Sequence, residues 1–391
     1  MPSFSLSAQA TRVDSSRIRE LSALADKLPG IYKLYFGESN LPTPEFIKKA
    51  AHEAIAQNHT FYTPNAGYLD LREAIAEKVK ELQLLSYDAE TEVIVTGSGV
   101  TGLLLSIFAV LERGGKAILL SPAWPNARSI VQMVGGIPLE IPLREGRDRY
   151  ELDLERIERE MDDSTRLVIY SSPSNPLGWV ASEEEQRGLA NLAYSRGVTI
   201  ISDEVYERIV YDRPVASSIA RVAPDKNGVI VVHSFSKTYC MTGWRVGFCL
   251  GPREVVAHMV KLQEFVVSHP SSISQRAALV ALREGEAFVR EMVERYRRQR
   301  DLVYGRLAQM EELQVKSPEG AFYIFPRVTG LKDSFAFARE LLLEKGVGVA
   351  PGSAFGSGGE GCFRICFAAE EGILLPALDR LEDFLKKRKQ V

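Results

Sequence analysis

Residues 228–237 read GVIVVHSFSK, and this short stretch is the strongest indication of how the chain folds. Its first half is a continuous apolar run without polar alternation, which is typical of a strand buried on both faces of a parallel sheet. Its second half is a serine-rich turn that ends at Lys237. A buried strand followed by a polar turn predicts an open α/β sheet whose ligand site lies at the carboxyl ends of the strands.

The same pattern repeats along the middle of the chain. Helices are predicted between the apolar runs, at Gly102–Leu111, Ser129–Val134 and Glu183–Ser195. Strands that alternate with helices predict a mainly parallel sheet sandwiched by helices. The predicted strands are Glu92–Thr96, Lys116–Leu120, Arg166–Tyr170, Val198–Ser202, Gly228–His233 and Arg245–Leu250.

The sequence pattern changes from about Ser272, where a charged amphipathic helix is predicted to run to about Met310. A chain of 391 residues is long for one core, so two domains are expected. Residues 45–275 would form a large domain around the parallel sheet. Residues 1–44 and 276–391 would form a smaller α+β domain. Its shorter strands and helices are predicted at Ala321–Phe325, Ser334–Glu344, Phe363–Phe367 and Ile373–Lys387.

The composition excludes several classes of protein. The net charge of −3 gives no basic excess for nucleic acid or an anionic membrane surface. The apolar run Leu103–Leu111 is too short to cross a bilayer, and the N-terminus does not read as a signal peptide. The four cysteines form no CxxC pair and no cluster with zinc spacing. We therefore expect a cytoplasmic protein without a metal.

Polar clusters follow five of the predicted strands. Since the carboxyl ends of parallel strands meet at one edge of the sheet, these clusters should lie close together. Such a gathering of small, polar and turn-forming residues predicts a ligand site. The clusters are Thr96-Gly97-Ser98-Gly99, Ser121-Pro122-Ala123-Trp124, Ser171-Ser172-Pro173-Ser174-Asn175, Ser202-Asp203-Glu204 and Ser234-Phe235-Ser236-Lys237.

Residues 97–102 match the dinucleotide-binding pattern G-x-G-x-x-G between a predicted strand and a helix. That pattern also needs an acidic residue at the end of the next strand, and here the strand ends Leu120-Ser121-Pro122. The narrower inference is that a small-residue turn at a helix N-terminus binds one phosphate group through its backbone N–H groups.

Lys237 is the candidate for covalent chemistry. A lone lysine on a loop is usually a solvated surface charge, but its neighbours here are unusual. Ser234 and Ser236 can bind phosphate oxygens, and Arg245 can reach the same phosphate with two hydrogen bonds. A lysine beside a phosphate site can form a Schiff base with an aldehyde cofactor.

Four further residues admit a structural and a functional interpretation. Asp203 can cap a helix or pair with a protonated pyridine nitrogen, which keeps the ring an electron sink. Asn175 lies in an ordinary Asn-Pro turn, and Trp124 can anchor a loop or stack on a flat cofactor. Arg364, between apolar residues, can face solvent from a strand or clamp a substrate carboxylate.

With these residues in order, the chain resembles the fold-type I pyridoxal 5′-phosphate (PLP) enzymes, specifically the class I/II aminotransferases related to aspartate aminotransferase. The resemblance runs from about Leu34 to about Ala368. It rests on the ordered set of motifs and not on any one of them. They are Phe36-Gly37-Glu38, Tyr62-Thr63-Pro64-Asn65-Ala66-Gly67, Val95-Thr96-Gly97-Ser98-Gly99, Pro122-Ala123-Trp124, Asn175-Pro176-Leu177-Gly178, Ser202-Asp203-Glu204-Val205-Tyr206, Ser234-Phe235-Ser236-Lys237, Gly243-Trp244-Arg245-Val246-Gly247, Gly320-Ala321-Phe322-Tyr323, Pro351-Gly352-Ser353-Ala354-Phe355-Gly356 and Phe363-Arg364.

The resemblance implies a role at the cofactor ring for five residues. Lys237 would hold PLP as a Schiff base and then move the proton between the substrate α-carbon and cofactor C4′. Asp203 would pair with the pyridinium nitrogen, and Trp124 would stack on the ring. Asn175 and Tyr206 would hydrogen-bond the phenolic oxygen. The catalytic set implied in this way is Lys237, Asp203 and Tyr206.

The resemblance also implies the phosphate and substrate contacts. Tyr62 would reach the phosphate of the other subunit, which implies a homodimer with shared active sites. Arg364 would clamp the substrate α-carboxylate, and the implied substrate-binding residues are Gly37, Trp124, Asn175 and Arg364. The implied phosphate contacts are the backbone amides of Ser98, Gly99 and Val100 and the side chains of Ser234, Ser236 and Arg245.

The reaction implied is transfer of an amino group from an L-amino acid to a 2-oxo acid through pyridoxamine phosphate. Another reaction of the same fold, by a β-lyase, decarboxylase or synthase, stays open because the same lysine and cofactor serve all of them. Val100 departs from some aspartate-specific relatives, which carry a lysine there, and from aromatic relatives, which often carry a tyrosine. The sequence therefore leaves the amino donor open.

Overall fold

The computed structural model describes residues 5–388, apart from the side chains of residues 8 and 357. Residues 1–4 and 389–391, assigned above to the smaller domain, lie outside the described residues. The strands in chain order are β1 Tyr32–Lys33, β2 Val93–Thr96, β3 Lys116–Ser121, β4 Ile137–Pro142, β5 Arg144–Glu145, β6 Tyr150–Glu151, β7 Thr165–Ser171, β8 Thr199–Asp203, β9 Val229–Ser234, β10 Gly247–Leu250, β11 Leu313–Gln314, β12 Tyr323–Ile324, β13 Arg327–Val328, β14 Val347–Gly348, β15 Ala350–Pro351 and β16 Phe363–Cys366.

Helices surround these strands. Short 3-10 turns lie at Ile219–Arg221, Lys226–Gly228, Thr242–Trp244, Gly352–Phe355 and Ser357–Gly359. Within residues 5–388, no helix combines the length and the apolar character needed to cross a membrane. The α-helices are α1 Ala8–Arg12, α2 Arg17–Ala25, α3 Glu45–Ala56, α4 Leu69–Gln83, α5 Gly99–Val110, α6 Asn126–Met133, α7 Leu154–Glu160, α8 Glu183–Ser195, α9 Phe235–Thr238, α10 Arg253–Val266, α11 Ser272–Glu284, α12 Glu286–Leu307, α13 Ser334–Lys345 and α14 Glu371–Arg388.

The centre of the described molecule is a seven-stranded sheet with the order β2-β10-β9-β8-β7-β3-β4. All of its strands run parallel except β10, which is antiparallel to both of its neighbours, β2 and β9. The short segment between Ser234 and Gly247 turns the chain back, so β10 returns beside β9 in the opposite direction. The predicted mainly parallel sheet is confirmed.

Both faces of the sheet are buried. On β2, the side chain of Ile94 packs in a core with Leu103 and Leu105 of α5, whereas Val93 and Val95 face the larger core on the other side. Neighbouring residues of a strand point to opposite faces, so burial of both faces requires a run of apolar residues without alternation. This requirement explains why continuous apolar runs identified the strands.

A strand near the start of the chain pairs with a strand near its end. Strand β1 pairs in parallel with β14, Tyr32 beside Val347 and Lys33 beside Gly348. Strand β16 pairs with β12 and β15. These contacts support the predicted grouping of the N-terminal residues with the C-terminal part, and the division into two domains stays a prediction. The predicted boundary between residues 275 and 276 falls inside α11, which packs on α3 and α4.

One predicted helix needs correction, and one strand of the central sheet was not predicted. The single helix predicted from Ser272 to Met310 is two helices, α11 and α12, which meet at Gly285. A side chain at Gly285 would begin 2.4 Å from the carbonyl oxygen of Ala281, so the close contact there accommodates only glycine. Strand β4 was missed because Pro138 and Pro142 argue against a strand; β4 is an edge strand, where proline is tolerated.

Candidate active site

The carboxyl ends of β7, β8 and β9 open into a cavity of about 1580 Å³. The C-terminal part of the chain closes one side of this cavity, and residues 14–20 border its mouth. Most of the residues singled out in the sequence line it, although they come from distant parts of the chain. These residues are Gly37, Gly99, Val100, Trp124, Asn175, Asp203, Tyr206, Ser234, Ser236, Lys237, Arg245 and Arg364.

Lys237 lies in α9, the single helical turn that directly follows β9. Its Nζ donates a hydrogen bond to the carbonyl oxygen of Gly37 and lies 5.8 Å from the centre of the Tyr206 ring. Burial lowers the pKa of Lys237 from 10.5 to about 8, and the nearby charge of Arg364 acts in the same direction. A larger fraction of this amine is therefore neutral and nucleophilic than for an ordinary lysine.

Asp203 is the last residue of β8, and its Oδ1 accepts a hydrogen bond of 3.3 Å from the amide of Val205. Burial raises the pKa of Asp203 from 3.8 to about 6, while this hydrogen bond and the positive charge of Lys237 lower it. A carboxylate at a buried strand end favours a cationic partner. A protonated ring nitrogen in the cavity would be such a partner.

Arg364 is 2% exposed and is held by groups on two sides of the cavity. Its Nη1 donates a hydrogen bond of 2.8 Å to Oδ1 of Asn175, and its Nη2 donates to the carbonyl oxygen of Tyr35. The guanidinium carbon lies 4.5 Å from the ring centre of Tyr323 and 4.9 Å from that of Phe355. Its Nε has no hydrogen-bond partner among the described residues. Each Nη carries a second N–H, and two such donors suit a carboxylate.

The turn before α5 lies at the cavity, which Gly99 and Val100 line. Oγ of Ser98 accepts a hydrogen bond of 3.0 Å from the amide of Thr101 and so caps the helix. The amides at the first helical positions, Gly99 and Val100, have no acceptor inside the helix. They face the cavity with the positive end of the helix dipole, which favours an anion.

Three further polar side chains, Ser234, Ser236 and Arg245, line the same cavity. Oγ of Ser234 accepts a hydrogen bond of 3.1 Å from the amide of Ser236, and the two hydroxyls are 2.9 Å apart. Arg245 is exposed and adopts a left-handed backbone conformation with a φ of 53°. Its Nη1 donates a hydrogen bond of 2.7 Å to the carbonyl oxygen of Thr242. Two hydroxyls and a guanidinium at a helix N-terminus have the donor chemistry that a phosphate group requires.

Two predicted residues are not in the lining of the cavity. Ser98 is buried beneath it as the cap of α5. Tyr62 is 90% exposed, and its ring meets the edge of His269 at a distance of 5.5 Å between ring centres. Within one described chain, therefore, Tyr62 does not reach the site.

Two features of the site were missed from the sequence. Tyr323 is fully buried, and its hydroxyl is 2.6 Å from the hydroxyl of Tyr206. Outside the lining of the cavity, Oε2 of the buried Glu204 is 4.0 Å from Nε2 of His233, whose Nδ1 is 3.5 Å from Oε1 of Glu207. The motif Gly320-Ala321-Phe322-Tyr323 gave a signal for the first feature, but the sequence alone gave it no role.

Lys237, Asp203 and the N-terminus of α5 lie together at the carboxyl ends of the strands, as expected for PLP-dependent enzymes of fold type I. The chain belongs to the aminotransferase class I and II family, whose model matches residues 30–381. Members of this family depend on PLP, and the protein is a PLP-dependent transaminase. The donors and acceptors described above fit that cofactor.

Similar proteins agree with this assignment. The chain is 39% identical over 390 residues to aromatic-amino-acid aminotransferase 2 of Thermococcus litoralis, covering 99% of this chain and 100% of that protein. It is 38% identical to a probable N-acetyl-LL-diaminopimelate aminotransferase of Bacillus subtilis, covering 98% and 97%. The solved aspartate aminotransferase of Rhizobium meliloti has a TM-score of 0.93 at 33% identity, covering 98% and 99%.

Proposed function

We propose that Lys237 is the covalent anchor and the proton carrier of an enzyme that transfers an amino group from an L-amino acid to a 2-oxo acid. One observation carries this proposal: Lys237, with a pKa lowered to about 8, lines the same cavity as Asp203, Arg245 and Arg364. These groups suit an aldehyde, a ring nitrogen, a phosphate and a carboxylate respectively.

The remaining residues would hold and orient the cofactor. Asp203 would accept a hydrogen bond from the protonated ring nitrogen. Asn175 and Tyr206 would hydrogen-bond the phenolic oxygen. Trp124 would stack on the ring. PLP, when bound, supplies an electron sink that stabilises negative charge at the substrate α-carbon. The phosphate would be held by the amides of Gly99 and Val100 and by Ser234, Ser236 and Arg245, with Ser98 capping the helix behind them.

Proton transfer would then fall to Lys237. Nζ of Lys237 would be the base that takes and carries the proton of the substrate α-carbon. A base with a pKa of about 8 suits this work near neutral pH. Arg364, with Asn175 and the backbone of Gly37, would hold the α-carboxylate so that the α-proton points at Lys237.

The first test compares the wild-type protein with Lys237→Ala. The purified wild type should show an absorbance band between roughly 360 and 430 nm from the bound cofactor, and the variant should lack the Lys237-dependent form of it. A single amino donor should convert the wild-type cofactor to pyridoxamine phosphate in one half-reaction. Release of ammonia and a 2-oxo acid without that conversion would favour a lyase, and a wild type without any band would overturn the proposal.

The exposed aromatic residues around Tyr62 support a homodimer with shared sites. Phe61 and Phe265 are 77% and 87% exposed, which is unusual for large apolar side chains, and such patches mark protein interfaces. In a dimer, Tyr62 of the partner subunit would reach the phosphate. A mixture of Lys237→Ala and Tyr62→Phe chains should recover one intact site per mixed dimer. A monomer in sedimentation, or no recovery, would contradict this arrangement.

The four cysteines support a cytoplasmic location for the enzyme. Cys240, Cys249, Cys362 and Cys366 are all buried and form no disulfide. Free thiols persist in a reducing compartment, whereas secreted proteins commonly pair them. Fractionation of the source cells should therefore find the activity in the cytoplasmic fraction, and activity in an extracellular fraction would contradict it.

A further inference from the structure

Tyr323 joins the two halves of the active site. It lies on β12, which pairs with β16 so that Tyr323 is opposite Cys366, two residues from Arg364. Its side chain is fully buried and lines the cavity. Its hydroxyl oxygen is 2.6 Å from that of Tyr206, which extends from the loop after β8. One side chain therefore contacts both the cofactor side and the substrate side of the site.

The ring of Tyr323 supports Arg364. The guanidinium carbon lies 4.5 Å from the centre of the ring, within the range of a cation–π contact. Since Arg364 is almost completely buried, this contact is desolvated and contributes more than an exposed one. The ring therefore supports the guanidinium from one side.

The hydroxyl of Tyr323 also packs against Gly37. A side chain at Gly37 would begin 2.5 Å from this hydroxyl oxygen, closer than real Cβ contacts come. The carbonyl oxygen of Gly37 accepts the hydrogen bond from Nζ of Lys237. The hydroxyl is thus held on one side by the backbone of Gly37 and on the other by Tyr206.

The direction of the hydrogen bond between the two tyrosines follows from what Tyr206 must do. Burial raises the pKa of both hydroxyls, so each carries one proton at neutral pH. If Tyr206 donated to Tyr323, no proton would remain for the phenolic oxygen of the cofactor. If Tyr323 donates instead, the proton of Tyr206 is free to point at that oxygen, and the donated bond strengthens it as a donor.

We propose that Tyr323 is a positioning residue: its hydroxyl donates to Tyr206 and directs the Tyr206 proton to the phenolic oxygen of the cofactor, while its ring holds Arg364 for the substrate carboxylate. This inference rests on the proposed function, which gives Tyr206 and Arg364 their roles. The proposal gives the hydroxyl and the ring of Tyr323 different roles, so each role is tested by its own substitution.

Tyr323→Phe tests the hydroxyl and keeps the ring. The purified holoenzyme is titrated with base while the absorbance band of the bound cofactor is followed. We expect the midpoint to rise, because a weaker bond from Tyr206 stabilises less negative charge on the phenolic oxygen. The rise should be smaller than in Tyr206→Phe. The double variant should titrate like Tyr206→Phe alone, since Tyr323 acts through Tyr206.

Tyr323→Leu tests the ring. Propionate serves as a simple carboxylate probe, and its binding is measured from the change that it causes in the same band. We expect binding to weaken on the order of tenfold in Tyr323→Leu, because the desolvated contact under Arg364 is lost. Binding should stay close to the wild-type value in Tyr323→Phe, which also serves as the folded control.

Three outcomes would overturn the inference. A Tyr323→Phe variant that titrates like the wild type would show that the hydroxyl does not act on Tyr206. Additive shifts in the double variant would show that it acts by another route. Unchanged propionate binding in a folded Tyr323→Leu variant would remove the role of the ring. A wild type without any cofactor band is a different result, because it refutes the proposed function and the inference together.

Discussion

The amide nitrogen of Gly99 lies 2.7 Å from the point where a side chain on Gly247 would begin. The antiparallel strand β10 starts at Gly247, which is paired with Thr96 on one side and Ser234 on the other. The return of the chain through β10 therefore packs its backbone directly against the proposed phosphate-binding turn. Only a residue without a side chain allows this approach.

Gly247→Ala should weaken PLP binding. The added carbon would also meet the carbonyl oxygen of His233 at 2.7 Å, so the backbone must shift, and overpacking of this kind costs about 1–3 kcal/mol. Isothermal titration of the apoenzyme with PLP measures the loss. Gly243→Ala is the matched control, since nothing lies within 4 Å of its added carbon. Equal affinity in both variants would contradict the expectation.

Arg364→Lys should raise the KM for the amino donor by roughly 10–100-fold, because a lysine cannot replace the two-pronged contact of a charged guanidinium. The affinity for PLP should change much less, since Arg364 contacts Asn175 and Tyr35 and not the proposed phosphate-binding turn. Steady-state kinetics and cofactor titration of the same preparation separate the two quantities. Equal effects on the KM for the amino donor and on the affinity for PLP would contradict the proposed role of Arg364.

Asp203→Asn should slow the removal of the substrate α-proton. An amide cannot stabilise a positive ring nitrogen as a carboxylate does, and loss of one such electrostatic group commonly slows a reaction by about 10²–10³-fold. Single-turnover absorbance of the holoenzyme with an amino donor measures the step. A rate within twofold of the wild type would mean that Asp203 does not act on the ring.

Glu204→Gln should change how stability depends on pH. Burial and the charge of Glu207 raise the pKa of Glu204 from 4.5 to about 8, while Ser202 and Ser218 lower it by donating to its Oε1. A raised pKa contributes stability below about pH 4.5 that is lost as the pH rises to about 8.

The glutamine variant loses no such stability, because its side chain does not ionise. Its free energy of unfolding relative to the wild type should therefore increase between pH 4.5 and 8, by more than about 1.4 kcal/mol, the equivalent of one pKa unit. Urea denaturation at both pH values measures the difference. His233 lies beside Glu204, and burial lowers the pKa of His233. The double variant Glu204→Gln/His233→Gln therefore separates the contributions of the two side chains to the pH dependence. A constant difference across pH would contradict the assignment.

Most strands of the central sheet could be predicted from the sequence because the pattern that identifies a buried strand is local. An apolar run such as Val229–Val232 indicates a strand buried on both faces. Lys237, which follows this run, must then lie at the carboxyl end of the strand. The same pattern predicted that the proposed phosphate-binding turn and Asp203 lie at the ends of strands, where the structure places them. The edge strand β4 was missed because the tolerance of its prolines depends on its place in the sheet, which no local pattern records.

The contacts that tune the site could not be predicted in the same way. Tyr206 and Tyr323 are 117 positions apart, and their segments meet through the bridge between Val210 and Gly320 and the hydrogen bond from the amide of Ala321 to the carbonyl oxygen of Ile209. The break at Gly285 likewise depends on contact with the ring of Tyr239, 2.7 Å from the added carbon. Such contacts are decided by tertiary packing, and the helical pattern on either side of Gly285 continues as if no break existed.

The pairing of Tyr32–Lys33 with Val347–Gly348 has a consequence for how the enzyme responds to its substrate. This pairing connects the segment that carries Gly37 to the C-terminal part of the chain, which carries Arg364. The hydrogen bond from Arg364 to the carbonyl oxygen of Tyr35 is a second connection. The two groups proposed to hold the α-carboxylate are therefore tied to each other before any substrate binds. Because every amino acid carries that carboxylate, the part common to all donors would meet contacts whose spacing does not depend on which donor is used.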